Sequence, residues 1–146
     1  MSDMEAKSIS SGFVIRIEKG EELIGAIKLF CKERSIQAAK LSGIGAAKNL
    51  SLSFFSEKDK TYIEKKFNNN YEIISLSGNI SKFNNEIIVH AHIAISDENY
   101  NVIGGHLNEA YISVTFEGFL EVFDIKLNRK KHLELNLNLL ELTDGS

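Results

Sequence analysis

The strongest constraint on the fold is a long succession of short β-rich segments that begins after residue 36. In these segments β-branched and aromatic residues alternate with polar ones, which is the period of half-buried strands. The predicted strands cover residues 37–41, 46–55, 61–67, 72–80, 86–96, 110–125 and 133–142. Gly, Asn and Asp clusters at residues 42–45, 68–70, 84–85 and 97–99 predict the turns between them, and the cluster at 97–99 predicts a hairpin.

Two further elements are predicted before these segments. Gly12 to Lys19 alternates like a strand and stops at Gly20. Glu21 to Arg34 changes to the helical period, with an apolar face made of Leu23, Ile24, Ile27, Phe30 and Cys31. The fold class predicted is therefore α+β, a mostly antiparallel sheet of about seven strands with one main helix packed on it.

The chain length is typical of one domain. For 146 residues with 43% hydrophobic residues, one ordinary core is expected. We predict a flexible N-terminal tail over residues 1–11, a single domain over residues 12–142 and a C-terminal tail over residues 143–146. No apolar stretch reaches the length of a signal peptide or a membrane span, and the single Cys31 excludes an intrachain disulfide. A cytoplasmic protein without a membrane partner is expected.

The charge balance argues against a general attraction to nucleic acids. Lys and Arg number 17 against 20 for Asp and Glu, a net charge of −3, so DNA binding would need a local basic patch. The only dense basic cluster is Arg129 to His132, which we interpret as a solvated turn rather than a phosphate contact.

Alternation along two strands shows which faces are expected to be buried. Along residues 86–96 the odd positions are apolar and the even positions carry His90 and His92. Along residues 110–124 the even positions are apolar, while the odd positions combine aromatic, hydroxyl and acidic groups, including Glu117 and Phe119. This mixed face predicts either a subunit interface or the wall of a pocket.

Three histidines form a candidate metal site. His90 and His92 share one strand face, with Cβ atoms about 7 Å apart. His106 follows Gly104 and Gly105, a pair that predicts a bend with positive φ that brings a third ring against the strand. Three imidazoles suit a divalent first-row metal, zinc first, and three histidines with a vacant fourth position are typical of catalytic zinc. The alternative is ordinary pairing of the histidines with local polar groups.

Glu117 has two possible roles at this stage. As a second-shell carboxylate it would orient a metal-bound imidazole, and in an enzyme it would relay a proton as the catalytic residue. Alternatively it forms a salt bridge with Arg129, which lies where the chain turns into the last predicted strand. The sequence does not decide between these roles.

Taken together, a set of ordered motifs resembles the PCC domain, the plant and prokaryote conserved domain also called PPC. The resemblance covers roughly Gly12 to Leu142. The matching segments are Arg16, Gly20–Glu21, Ser42–Ala46, Glu72–Ile80, His90–His92, Gly104–Leu107 and Thr115–Glu117. One departure is Gly118, where the family commonly has a bulky apolar residue, so looser packing is expected there.

The resemblance implies a sheet with one main helix, assembly into homotrimers, and a metal or ligand site at His90, His92 and His106. Plant relatives attach the domain to an AT-hook that binds the minor groove of A·T-rich DNA. This chain has no Arg-Gly-Arg-Pro string and no proline, so that element is missing.

Two classes of function follow. The first is a non-enzymatic homotrimeric binding module whose histidines hold a metal or small-molecule ligand and tune an interaction with DNA or a regulatory protein. The second is a zinc-dependent hydrolase or lyase acting on a small molecule.

Overall fold

A computed structural model describes residues 4–143 and contains one helix and eight strands within that range. The strands lie in one sheet, and 28 buried apolar side chains of the strands, the helix and the segment that follows the helix form the core. The elements are β1 (Glu5–Ile9), β2 (Gly12–Glu18), α1 (Leu23–Glu33), β3 (Ala39–Ser56), β4 (Thr61–Phe83), β5 (Glu86–Ser96), β6 (Val102–Val122), β7 (Asn128–His132) and β8 (Leu137–Glu141).

The strand order places β5 and β6 side by side. The order is β1-β2-β6-β3-β4-β7-β8, and β5 pairs with both β4 and β6. Strands β3, β4, β5 and β6 therefore form a closed ring of pairings. All pairings are antiparallel except β4 with β7, which meet in parallel at Lys82 and Asn128. The α+β class is confirmed in outline, with eight strands rather than about seven.

Helix α1 forms where the period predicts it and buries the predicted face. Its side chains at Leu23, Ile27 and Phe30 are almost fully buried in the core. Glu22 is the N-cap rather than a first-turn residue, because its carboxylate accepts from the backbone N–H of Ile24 at 3.1 Å and of Gly25 at 2.6 Å. Among residues 4–143, no helix is both long and apolar enough to cross a membrane.

Two of the four predicted turns form. Asn84 and Asn85 link β4 to β5 with positive φ, and Asp97 closes the β5–β6 hairpin by accepting from the backbone N–H groups of Asn99 and Asn101. Residues 42–45 and 68–70 instead lie inside β3 and β4. Residues 42–45 lie between β4 and β6, and register shifts after Gly43 absorb the glycine-rich stretch without a break. Residues 68–70 lie at another register shift, opposite the segment from Lys48 to Leu50 of β3.

The prediction of a flexible tail over residues 1–11 was wrong for Glu5–Ile9. These residues pair with β2 as strand β1, which covers an edge that would otherwise expose unpaired backbone groups. The Glu5 carboxylate also forms an ion pair with Arg16 at 2.8 Å. Residues 1–3 and 144–146 of the two predicted tails lie outside the described residues, and the domain range 12–142 stays a prediction.

Strand β6 follows the predicted alternation except near its centre. Ile112, Phe116 and Leu120 are fully buried, but Val114 is 66% exposed. The register against β3 slips between residues 112 and 116, so the strand bulges and turns Val114 outward. Gly118 does not loosen the packing as expected, because a Cβ there would lie 2.5 Å from the carbonyl oxygen of Ser42.

Candidate metal centre

The histidines come together because β5 and β6 are neighbours. His90 and His92 stand on the same face of β5, two residues apart. In the antiparallel register His92 lies directly opposite His106 of β6. The odd positions of β5 point the other way, and Val89, Ala91, Ile93 and Ile95 are buried as predicted. The core therefore fixes the face on which the imidazoles stand.

Gly104 and Gly105 do not form the predicted bend. Both lie in regular strand, and neither has a positive φ. They allow close approach instead: a Cβ at Gly104 would lie 2.6 Å from the carbonyl oxygen of Ile93, and one at Gly105 would lie 3.1 Å from that of Ser53. His106 thus reaches the site through strand pairing, with glycines that let the strands pack tightly.

The three rings are mutual neighbours. Ring centroids are 5.2 Å apart for His90 and His92, 5.2 Å for His90 and His106, and 5.6 Å for His92 and His106. One ring nitrogen of each lies within 4.8 Å of the others. His90 and His106 are half-buried, whereas His92 is exposed. The cluster therefore lies at the surface with one side open.

The surroundings favour neutral imidazoles. Burial lowers the pKa of His90 from 6.5 to about 4, with further contributions from the charges of Arg129, His106 and His92. Burial also lowers the pKa of His106, followed by the effect of His92. At neutral pH both rings carry a lone pair, which is the form that binds metal ions.

The residues fit a bound divalent ion. The Nδ1 atom of His106 is buried and has no hydrogen-bond partner among the described residues, an unsatisfied state that a ligand would relieve. Nitrogens around a tetrahedral zinc ion lie roughly 3.3 Å apart, so small side-chain rotations would close the observed separations of up to 4.8 Å. His90, His92 and His106 would hold the ion, which would supply Lewis-acid chemistry at its open position.

Arg129 is a site residue that the sequence interpretation missed. The basic run at residues 129–132 is not a solvated turn but strand β7, and the Arg129 guanidinium lies beside His90. Its Nη2 is 3.5 Å from His90 Nδ1 and donates to Asn79 Oδ1 at 2.7 Å, while its Nε donates to Ser81 Oγ at 2.8 Å. Its Nη1 donates to the carbonyl oxygen of Asn138 at 2.9 Å.

A cleft of about 310 Å³ opens beside the cluster. Its volume is at the lower end of small-molecule sites. The ring of Tyr62 lies 4.8 Å from that of His106 and forms one wall. The lining residues are Tyr62, Ile88, Val89, His90, His106, Arg129, Asn136, Leu137 and Asn138.

Glu117 takes neither of its two predicted roles within one chain. It lies opposite Arg16 and Ile44 in the sheet. Along β6 it is separated from His106 by a stretch on the order of 30 Å at the rise of an extended strand. It therefore contacts neither the histidines nor Arg129 of its own chain.

These features define a class: a small, mostly antiparallel α+β domain with a candidate three-histidine metal centre on two neighbouring strands. The sequence profile of the Plants and Prokaryotes Conserved (PCC) domain matches residues 4–124. The chain belongs to the PCC domain family, as its ordered motifs predict. A comparison with curated proteins gives no match.

Several solved structures share the fold along almost the whole chain. A proposed DNA-binding protein from Bacteroides thetaiotaomicron is 33% identical, with a TM-score of 0.91 and coverage of 94% of this chain and 96% of the other. A plant- and prokaryote-conserved protein from Pyrococcus horikoshii is 34% identical, with a TM-score of 0.84 and coverage of 99% and 98%. A metal-containing protein from Archaeoglobus fulgidus is 29% identical, with a TM-score of 0.83 and coverage of 95% and 98%.

Proposed function

We propose that this chain is a non-enzymatic, homotrimeric binding module of the cytoplasm that holds a divalent metal ion, zinc first, on His90, His92 and His106. The ion or a small ligand on it tunes an interaction with DNA or a regulatory protein. The observation that carries the proposal is the convergence of three imidazole nitrogens within 4.8 Å of one another. An imidazole nitrogen of His106 that has no hydrogen-bond partner within residues 4–143 supports it.

The relatives support both parts of this proposal. The Archaeoglobus fulgidus protein contains metal, and the Bacteroides thetaiotaomicron protein is described as a proposed DNA-binding protein. DNA contact by this chain has to overcome its net charge of −3. We therefore expect it to be weak and salt-sensitive unless a protein partner contributes.

Exposed apolar side chains support an interface between copies of this chain, which the proposed homotrimer requires. Phe119 is 53% exposed and Val114 66% exposed on β6, and Ile44 is 59% exposed on the neighbouring β3. Apolar side chains grouped on paired strands are typical of subunit interfaces. Their burial between copies would explain the mixed face of β6.

The alternative is a zinc-dependent hydrolase or lyase acting on a small molecule. The cleft that opens on His90 and His106 favours it, because a substrate there would reach the open side of the ion. Glu117 of the same chain is too far away to act as its proton relay, so this alternative needs a proton acceptor from elsewhere.

Metal content and solution mass test the proposal. Purified protein is stripped with a chelator, titrated with Zn²⁺ against a chromophoric chelator, and analysed by light scattering. We expect about one ion per chain and the mass of a trimer. His92→Ala should weaken zinc binding at least about tenfold while retaining the fold, because one of three ligands is lost. His132→Ala removes an exposed histidine of β7 and should bind zinc normally.

A second assay separates the module from the enzyme. The zinc-loaded protein is tested for binding to an A·T-rich duplex at low and moderate salt, and for turnover of ester and phosphoester model substrates. Duplex binding that weakens with salt, without turnover, agrees with the module. Turnover that is lost in His92→Ala contradicts its non-enzymatic character. Absence of zinc uptake by the wild-type protein contradicts both functions.

A further inference from the structure

Arg129 is an unusual cation because it lies half-buried and, in the part of the chain that the structure describes, hydrogen-bonds only to neutral groups. Its nitrogens donate to a serine hydroxyl, an amide oxygen and a backbone carbonyl, and it forms no ion pair with any carboxylate among residues 4–143. The hydroxyl acceptor, that of Ser81, belongs to a fully buried residue. The guanidinium is thus held in place by β4 and β8 while its charge stays uncompensated.

A metal ion on the histidine cluster would add to this uncompensated positive charge. Three neutral imidazoles leave a divalent ion with its full charge of two, and Arg129 Nη2 lies 3.5 Å from the ring of His90. Among the described residues, the cleft lining contains no carboxylate: its remaining members are apolar or carry amide and phenol groups. Two neighbouring cations in a partly buried cleft repel each other unless an anion lies between them.

We infer that the cleft binds a small oxyanion, a carboxylate or phosphate group, between the metal ion and Arg129. This inference rests on the proposed metal site and names its ligand class. An Arg guanidinium offers a planar pair of N–H donors that matches the oxygens of such a group, and a metal with three protein ligands keeps a position for another oxygen. The cleft volume of about 310 Å³ suits a small molecule.

The walls of the cleft favour a small acid over the backbone of DNA. Tyr62, whose ring lies against that of His106, lines the cleft together with Asn136 and Asn138 of the β7–β8 hairpin. A duplex presents its phosphates on a wide convex surface, whereas a cleft of about 310 Å³ has the size of a small-molecule site. The shared chemistry is the oxyanion, and the experiment distinguishes its two sources.

Linkage between metal and anion provides the test. Because each ligand offsets the charge that opposes the other, the anion raises the metal affinity and the metal raises the anion affinity by the same factor. Co²⁺ affinity of the full chain is measured by chelator competition with and without methylphosphonate or acetate, and the visible spectrum of bound Co²⁺ reports changes in its ligands. We expect at least one of the two anions to raise Co²⁺ affinity about tenfold or more.

Arg129→Gln separates the inference from its alternatives. In this variant the anion effect should fall to about threefold or less, while Co²⁺ affinity without anion should equal or exceed that of the wild type because a repelling charge is gone. Lys130→Gln is the matched control: it removes one positive charge from the adjacent, exposed position of β7 and should retain the full effect.

The outcomes are distinguishable. If Co²⁺ does not bind at all, the proposed metal site fails; if it binds with no response to either anion, only the oxyanion inference fails. A response to an A·T-rich duplex without one to the small anions overturns the small-molecule assignment. If circular dichroism shows that Arg129→Gln perturbs the fold, Arg129→Lys is used instead. This variant keeps the charge but loses the planar pair of donors, so the increase in Co²⁺ affinity caused by the anion should fall at least by half. An unchanged increase overturns the inference.

Discussion

The metal-free protein should lose stability as the solution becomes mildly acidic, and His90 should be a main cause. The pKa of His90 is about 4 in the folded protein against an ordinary value of 6.5. Between these values the unfolded chain binds a proton that the folded chain does not. The contribution of His90 to stability is therefore complete above about pH 6.5 and decreases as the pH falls towards about 4.

The magnitude follows from the same pKa difference. A difference of roughly 2.5 in pKa corresponds to about 3 kcal/mol in the free energy of unfolding. His90 is only half-buried, and solvent screens part of the effect, so we expect about 2 kcal/mol between about pH 7.5 and 4.5. His90→Gln, which cannot titrate, should flatten the pH dependence by that amount.

Urea unfolding in the presence of a chelator provides the assay. The chain has no tryptophan, so circular dichroism of the sheet is the suitable signal. All variants are compared at one protein concentration, because unfolding of an oligomer depends on concentration. His132→Gln, on the exposed hairpin, controls for the loss of one histidine. Equal pH dependence in the wild type and in His90→Gln would refute the reasoning, as would a wild-type protein that becomes more stable towards pH 4.5.

Three further predictions follow from the structure. Gly104→Ala should weaken zinc binding and lower the free energy of unfolding by about 1–3 kcal/mol, because the new Cβ would lie 2.6 Å from the Ile93 carbonyl oxygen. Chelator competition measures the zinc affinity and urea unfolding measures the stability. An unaltered zinc affinity would contradict the explanation that Gly104 allows close approach of the strands. Phe30→Ala should cost about 3–5 kcal/mol in urea unfolding, since the ring is 1% exposed, whereas Leu29→Ala at 37% exposed should cost less than about 1 kcal/mol. Cys31, whose pKa burial raises to about 12, should resist iodoacetamide in the folded protein and react only after unfolding, as followed by mass spectrometry; rapid labelling of the folded protein would disprove its burial.

The spacing of apolar residues correctly predicts those features of this protein that depend on a single helix or strand. The apolar spacing through Leu23, Ile27 and Phe30 places α1 correctly, and the alternation along β5 separates the buried face from the one that carries His90 and His92. These predictions succeed because each depends only on how side chains project from a single helix or strand.

Features that depend on pairing between distant segments could not be predicted from one sequence. The role of Arg129 comes from the parallel contact of β7 with β4, and the charge run around it resembles any solvated surface. The same holds for Gly104 and Gly105: a bend and a close strand contact both require glycine, and only the neighbouring backbone distinguishes them. Glu117 does not reach the histidines, because β6 is longer than its pattern indicates and contains both His106 and Glu117 in one extended strand.

The three histidines lie on hydrogen-bonded strands rather than on loops, and this affects how readily such a centre would exchange a metal ion. The backbone ladder that joins Ile93 to Gly105 consists of hydrogen bonds between strands, so a metal ion on the histidines would take no part in it, and loss of that ion should leave the donors assembled. Zinc fingers, by contrast, collapse when emptied. If the proposed site binds metal, only small side-chain rotations would accompany each binding event, so its occupancy would follow the ambient supply of free metal.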